Sequence, residues 1–142
     1  MAFERVYAIW DFYDGIRSGV ADYERSPHYF EQEWNRENDD YAETFTLKSI
    51  DEDTLALVLE QWDIFRTWEG ALQRGEVPPD THPGLPGKRA RYAELEAALN
   101  SRIAAQQPSP ARVYAKFETL PNQHTLSHGV MRDVQVEWRH EA

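Results

Sequence analysis

The stretch WDFYDGIRSGVADYERSPHYF, residues 10–30, combines aromatic and β-branched residues with two turn signals. Aromatic and β-branched side chains favour strands, whereas Asp-Gly pairs are typical of tight turns. We therefore expect a strand over residues 5–13, a break at the Asp-Gly pair, and a hairpin whose turn lies at residues 24–26. Gly19 is interpreted as a second break in the same region.

Alternation along these strands predicts which side chains face the core, because successive side chains point to opposite faces. On the first strand one face is formed by Val6, Ala8, Trp10 and Phe12. On the second arm of the hairpin one face is formed by His28, Phe30, Gln32 and Trp34. Of these, Phe30 and Trp34 are expected to point inward.

The spacing of apolar residues predicts five further elements: a strand at 41–50, helices at 53–74 and 88–106, and strands at 111–120 and 130–140. A rigid proline-rich loop at 78–87 separates the two helices. Helices grouped between strands predict an α+β fold: a mostly antiparallel sheet of about five or six strands, with two helices, inserted between the early and the last strands, packed on one face. The length is that of a single domain, 1–142.

The ends of the first helix carry capping signals. Ser49 forms a capping box with Glu52, and Asp51 is a second candidate for the N-cap position. Gly75 directly follows the predicted helix and is typical of a C-terminal cap. These residues place the helix between about 50 and 74.

Charge is unevenly distributed along the 142 residues. The net charge is −10, and residues 1–45 carry eleven acidic residues against four arginines. Such a protein repels nucleic-acid phosphates, which disfavours DNA or RNA binding, and it attracts a basic partner. Alternatively, the charge only keeps a soluble protein dispersed. The basic run KRAR, residues 88–91, is expected to pair with the acidic first half of the same chain.

Several classes of protein are disfavoured by what the sequence lacks. It contains no cysteine, which excludes disulfides and thiolate metal ligands. No apolar run approaches the ~20 residues of a transmembrane helix, and no signal-peptide pattern occurs at the N-terminus, so a cytoplasmic location without membrane association is expected. His124 and His128 lie four residues apart, but between Pro121 and Gly129 and without the glutamate of HExxH. We therefore expect no metal and no other cofactor.

The candidate binding residues lie in the opening stretch, because functional loops commonly follow the ends of strands. An arginine beside two carboxylates could hold a ligand or form an interfacial ion pair. The candidates are Asp11, Asp14, Arg17, Ser18, Asp22 and His28. The competing interpretation is architectural: Asp-Gly is ordinary turn chemistry, Arg17 ties the loop to a carboxylate, and His28 is a hydrogen-bonded structural residue.

Two functional hypotheses follow from these observations. The first is a small acidic, non-enzymatic protein-binding module, an inhibitor or immunity-like partner of a more basic protein, with a homodimer also compatible. The alternative is a small enzyme or ligand-binding domain with a cleft around residues 11–17 and His28. An enzyme is less favoured because neither GxSxG nor a glycine-rich phosphate loop occurs. A concave pocket lined by these residues would favour the alternative, and a broad negative face the first.

Overall fold

The computed structural model describes residues 2–120 and 133–140, within which six antiparallel strands close into a barrel in chain order. The strands are β1 Glu4–Phe12, β2 Ile16–Tyr23, β3 Ser26–Asn35, β4 Asp40–Ser49, β5 Val113–Thr119 and β6 Val134–His140. Two helices connect β4 to β5, namely α1 Glu52–Gln73 and α2 Ala90–Ala104. The predicted mixture of an antiparallel sheet with two inserted helices is confirmed at this level.

The structure differs in detail from the predicted sheet with two helices packed on one face, because the sheet closes on itself into a barrel. β1 pairs with β6 as well as β2, through Glu4 opposite Val136 and Arg5 opposite Gln135. β4 meets β5 at Phe45 opposite Val113. The helices pack on the outside of this barrel. Residue alternation is the same in an open and in a closed sheet, so the pattern contained no signal for closure.

The barrel interior is filled by four aromatic rings. Phe30, Phe45, Phe117 and Trp138 contact one another in all six pairings, with ring centroids 5.6 to 6.2 Å apart. Phe30 is completely buried among them. A small barrel has an interior just wide enough for side chains, and here aromatic residues occupy it. Any sizeable recess must therefore lie outside the barrel.

A second core lies between the outer surface of the barrel and the helices. It consists of Ala8, Val20, Ile50, Val58, Leu99 and Ile103. The predicted face shared by Val6 and Ala8 is wrong because the register shifts between them, so that Val6 packs on the barrel core and Ala8 on the helices. Such a bulge places two residues of one strand opposite one residue of its partner.

Gly19 lies inside β2 rather than at a break. A Cβ atom there would overlap the carbonyl oxygen of Ala8 and lie 2.9 Å from Cζ of Phe30. Only glycine permits β1 to approach so closely at the bulge.

Trp34 is a second exception to the predicted alternation. It is 51% exposed, whereas the sequence predicted it to point inward with Phe30. The register of β3 against β4 shifts between Gln32 and Trp34, where β3 advances two residues and β4 four, close to the end of both strands. Trp34 therefore reaches solvent at one end of the barrel.

The helix ends and the proline-rich loop follow local side-chain chemistry. Asp51, rather than Ser49, is the N-cap of α1, since its carboxylate accepts a 2.8 Å hydrogen bond from the Thr54 amide. Hydrogen bonding to the side chain of Thr54, and then to its backbone amide, lowers the pKa of Asp51. The loop folds back on α1, where the His82 ring packs against Trp68 at an angle of 60° with ring centroids 4.6 Å apart.

The basic run joins the two helices as expected. Arg91 donates two hydrogen bonds, of 2.6 and 2.7 Å, to the carboxylate of Glu60 on α1. The arginine lowers the pKa of Glu60. Within residues 2–120 and 133–140, no helix combines the length and apolar character needed to cross a membrane.

Candidate functional site

A cleft of about 430 Å³ lies between the outer surface of strands β1 to β4 and helices α1 and α2. Its volume falls in the range of small-molecule sites, roughly 300–1,000 Å³. The outward-facing side chains of four strands form one wall, and α2 with one residue of α1 forms the other. The cleft exists because the second core covers only part of the barrel surface that the helices face.

A row of polar residues crosses the strand wall. Ser18 lies opposite Asp11 on one neighbouring strand and opposite Glu31 on the other. The Ser18 hydroxyl donates a 3.0 Å hydrogen bond to the Asp11 carboxylate. Neighbouring strands are about 4.8 Å apart, so the backbones that carry the two carboxylates lie about 10 Å from each other on either side of Ser18.

A second, more apolar row lies beside it. Tyr29 lies opposite Lys48, and its ring is 5.8 Å from that of Trp10 at an angle of 34°. The Lys48 ammonium donates a 3.2 Å hydrogen bond to the carbonyl of Ile103, so this cation is held against α2. The two rings form a flat apolar surface next to the carboxylate row.

The helix wall contributes residues spaced by four. Tyr92, Glu96 and Asn100 all line the cleft, because residues four apart share one face of a helix. Gln61 enters from α1 and is only 5% exposed. Among the described residues its side chain makes no hydrogen bond.

The cleft is electronegative. Its lining contains the carboxylates of Asp11, Glu31 and Glu96 and a single cation, Lys48, which gives a formal charge of −2. Burial raises the pKa of Tyr29, and the charge of Glu31 raises it further. Burial and the charge of Glu96 raise the pKa of Tyr92 in the same direction. Both phenols therefore stay protonated at neutral pH, and the site favours a positive ligand.

Trp10 contributes an unsatisfied donor to the cleft wall. Its indole Nε1 is buried and has no hydrogen-bond partner among the described residues. A buried donor without a partner costs about 1–3 kcal/mol, so such groups are uncommon in folded proteins. Trp10 and Gln61 both also line a smaller recess of about 140 Å³ next to the cleft.

The hydrogen bonding of Ser18 is not that of an activated nucleophile. Ser18 directs its proton to a carboxylate, which is a weak base for a hydroxyl group. No histidine is among the described residues that line the cleft. An imidazole partner of the kind that activates serine nucleophiles is therefore missing from this part of the chain.

A different surface occurs where the β1–β2 turn meets the β3–β4 connection. We call it the aromatic end, formed by Phe12, Tyr13, Trp34 and Tyr41. Phe12 is 59% and Tyr13 74% exposed, and Trp34 contacts Tyr41 edge-on with ring centroids 5.0 Å apart. These large side chains lie together at one end of the barrel and in contact with solvent.

Arg17 holds the aromatic end together. Its Nε donates a 2.8 Å hydrogen bond to the carbonyl of Tyr13, and its Nη1 donates to the side-chain oxygen of Gln32. The guanidinium carbon lies 4.1 Å from the centre of the Tyr41 ring, which is a cation–π contact. Arg17 thus links the β1–β2 turn to strands β3 and β4 through polar and aromatic contacts.

The six sequence candidates are placed in four locations. Asp11 and Ser18 line the cleft, while Asp14 and Arg17 lie at the aromatic end. Asp22 accepts a 2.9 Å hydrogen bond from the hydroxyl of Tyr7. His28 lies elsewhere on the barrel, where its Nδ1 donates to the carbonyl of Ser26 at 2.7 Å and its ring meets Tyr23 edge-on. A single pocket lined by Asp11, Asp14, Arg17 and His28 is not formed.

Several cleft residues were not among those candidates: Trp10, Tyr29, Glu31, Lys48, Gln61, Tyr92, Glu96 and Asn100. Two signals for them were present in the sequence. Gln61 interrupts the apolar face of the first helix, and Glu96 and Asn100 continue the spacing of Tyr92. Neither signal identifies the strand surface that the helix covers.

Metal-binding side chains do not gather within residues 2–120 and 133–140, where no group of three or more histidine or carboxylate residues could hold an ion. His124 and His128 lie outside the described residues. A comparison of the chain with protein-family models, curated proteins and solved structures found no match.

Proposed function

We propose that this protein is a non-enzymatic binding module that engages a more basic protein through its aromatic end. The observation that carries the proposal is the exposure of Phe12, Tyr13 and Trp34 at one end of the barrel. Large apolar side chains grouped in solvent are unfavourable unless another surface covers them, and such patches commonly mark interaction sites. Tryptophan and tyrosine are also the residues that most often dominate binding energy at interfaces.

The charge around the aromatic end favours a basic partner. Four exposed carboxylates lie in its two connections, those of Asp14, Glu37, Asp39 and Asp40. Arg36 is the exposed cation among them, and Arg17 is already engaged by its hydrogen bonds and ring contact. Acidic groups around an apolar centre accelerate association with a positive surface and discourage negative ones.

The contacts of Arg17 make this surface pre-organised. The β1–β2 turn is held by the bond from Arg17 to Tyr13 and by a 2.9 Å hydrogen bond from the Tyr13 amide to the Gly15 carbonyl. Gly15 has a φ of 132°, a conformation that other residues rarely adopt. A surface that is ordered before binding loses less conformational entropy when its partner arrives.

A homodimer through the same surface is disfavoured by charge. A two-fold symmetric contact places each surface against its own copy. The carboxylates of Asp14, Asp39 and Asp40 would then face identical carboxylates. Like charges opposed across an interface cost several kcal/mol, so a second copy is a poorer occupant than a basic protein.

The test is affinity capture from source-cell lysate with three forms of the chain. The wild type is compared with a Tyr13→Ala/Trp34→Ala double variant and with Tyr114→Ala. Tyr114 is the matched control because it is a 37% exposed aromatic residue on β5, outside the aromatic end. Captured proteins are identified by mass spectrometry, and each specific one is purified and titrated by calorimetry at low and high salt.

We expect at least one captured protein of basic isoelectric point, retained by Tyr114→Ala and bound at least tenfold more weakly by the double variant. Its affinity is expected to fall as salt rises, because screening weakens surface attraction. The proposal is wrong if no captured protein distinguishes the double variant from wild type, or if the partner is acidic. It is equally wrong if light scattering shows that these residues mediate self-association.

A further inference from the structure

We propose that the cleft between the strands and α2 is a separate binding site for a small organic ammonium cation with an apolar body. This inference does not rest on the aromatic end or on a protein partner. It rests on three properties of the cleft: its charge, a glutamine whose side chain makes no hydrogen bond with the described residues, and an aromatic surface beside the carboxylates. These properties require a ligand with a positive group at one end and an apolar group at the other.

The charge of the cleft selects a cation. Asp11 and Glu31 come from the strand wall and Glu96 from the helix wall, so carboxylates face a ligand from two sides. The single cation of the lining, Lys48, is held by the Ile103 carbonyl on α2. An ammonium group placed between the walls would therefore meet three negative charges and one positive charge. All three carboxylates belong to exposed residues, so their attraction for a cation comes from their combined charge rather than from burial.

Gln61 is the independent indication that the cleft accepts a polar ligand. Its side chain is 95% buried, lines the cleft and makes no hydrogen bond with the described residues. A glutamine amide has two donors and two acceptor lone pairs, and those of Gln61 are available to a ligand in the cleft that it lines. Its oxygen can accept a hydrogen bond from an ammonium group, which has three donors and no acceptor.

The aromatic row suits the apolar part of the ligand. Trp10 and Tyr29 present neighbouring rings, and Leu99 and Ile103 lie on the facing helix. The face of an aromatic ring also attracts a cation within about 6 Å of its centre. A cleft of about 430 Å³ is large enough for an amine with a ring or a short alkyl chain.

The experiment uses three probes that share one body and differ in charge. 2-Phenylethylamine is a cation at neutral pH, 2-phenylethanol is neutral, and phenylacetate is an anion. Each is titrated by calorimetry into the full chain at neutral pH and moderate salt. We expect saturable binding of the amine with one site per chain, at least tenfold weaker binding of the alcohol, and no measurable binding of phenylacetate.

Two variants connect this binding to the cleft. Glu31→Gln and Glu96→Gln each remove one carboxylate, from opposite walls, and each is expected to weaken amine binding at least fivefold. Glu137→Gln is the matched control, because it removes the same charge from β6, which contributes no described residue to the cleft lining. Circular dichroism melting confirms that each variant is folded. Glu96 is exposed on α2, so this variant keeps the test valid if Glu31→Gln unfolds.

Each result other than the expected one overturns the proposal. Equal binding of the amine and the anion would show that only the apolar surface attracts the probes. Equal weakening in Glu137→Gln would show that the overall charge of the protein, rather than the cleft, attracts the amine. Lack of amine binding to the folded wild type would show that the cleft does not take this class of ligand.

Discussion

The cleft and the aromatic end are built from consecutive residues of the same strand and turn, yet they differ in almost every physical property. Asp11 faces the half-enclosed cleft, where Ser18 donates a hydrogen bond to it. Phe12 and Tyr13, which follow it directly, lie in solvent. The cleft has walls from both the barrel and the helices, whereas the aromatic end is open and held by one arginine.

The difference arises from the register of β1 against β2. This pairing shifts between Val6 and Ala8, between Ile9 and Asp11, and again between Asp11 and Phe12. Each shift changes the face on which the following residues lie. Residues that are neighbours in sequence therefore belong to different surfaces, and a group of polar residues close in sequence does not constitute one site.

The largest loss of stability is expected from a substitution at Gly19, where β1 and β2 approach each other at the bulge. Alanine there would overlap the Ala8 carbonyl and press on Phe30, neither of which can move aside without disturbing the bulge or the barrel core. We expect Gly19→Ala to lower the free energy of unfolding by about 3 kcal/mol, measured by chemical denaturation. Gly70→Ala is the control, because its Cβ would meet only the flexible end of Arg74 and alanine favours a helix by up to about 1 kcal/mol. Equal stability of Gly19→Ala and wild type would contradict the bulge.

Substitution of one tryptophan in each surface compares the cleft with the aromatic end directly. Trp10 is half-buried in the cleft wall, and we expect Trp10→Ala to lower the free energy of unfolding by about 2–3 kcal/mol, less than the ~3–5 kcal/mol of a fully buried aromatic residue. Trp34 is exposed, so Trp34→Ala is expected to cost about 1 kcal/mol or less. Urea denaturation of both variants gives the comparison. A larger loss for Trp34→Ala would mean that the aromatic end belongs to the core.

Arg17 and Asp14 sharpen the description of the aromatic end. Arg17→Ala removes the bonds to Tyr13 and Gln32 and the contact with Tyr41, and we expect it to cost about 1 kcal/mol. Asp14→Ala is expected to cost still less, although Asp14 has a positive φ of 52°, which alanine adopts less readily. Thermal melting followed by circular dichroism measures both changes. Complete unfolding of Arg17→Ala would show that the arginine stabilises the core of the fold rather than an exposed surface.

The smallest expected effect is a change in alkaline stability at Tyr29. Burial and Glu31 raise the pKa of Tyr29, so the folded protein keeps this proton at a pH where the unfolded chain, with a tyrosine pKa of about 10, releases it. The free energy of unfolding must then decrease as pH rises above about 10. We expect a shallower decrease in Tyr29→Phe, measured by urea denaturation between neutral and alkaline pH. Parallel curves for the two proteins would place Tyr29 in an ordinary aqueous environment.

Local patterns in the sequence were sufficient to predict the strands and helices. The change from two-residue to helical spacing after residue 50 located α1, and the Glu24-Arg25 turn located the hairpin, where both residues have positive φ. The C-terminal cap was also readable: Gly75 has a φ of 73°, and its amide bonds to the Leu72 carbonyl. These features depend on residues that are close together in the chain, so local sequence patterns can predict them.

The site could not be predicted in the same way because it depends on long-range register. The bulge in β1 separates Val6 from Ala8, and the register of β3 against β4 shifts beside Trp34. The pairing of β1 with β6 joins residues about 130 positions apart, and sequence spacing contains no information on it. The side chains of five of the six proposed site residues are therefore hydrogen-bonded at four separate places on the barrel, and of the six only Asp11 and Ser18 share the cleft.

The most direct test of two separate surfaces is a nitrogen-15 NMR titration of the wild-type protein with 2-phenylethylamine. The indole N–H signals of Trp10 and Trp34 report the cleft and the aromatic end in one spectrum, and each is assigned from its Trp→Phe variant. We predict that the Trp10 signal shifts progressively to saturation while the Trp34 signal keeps its position. A shift of the Trp34 signal equal to that of Trp10, or no shift of Trp10 at all, would contradict the account.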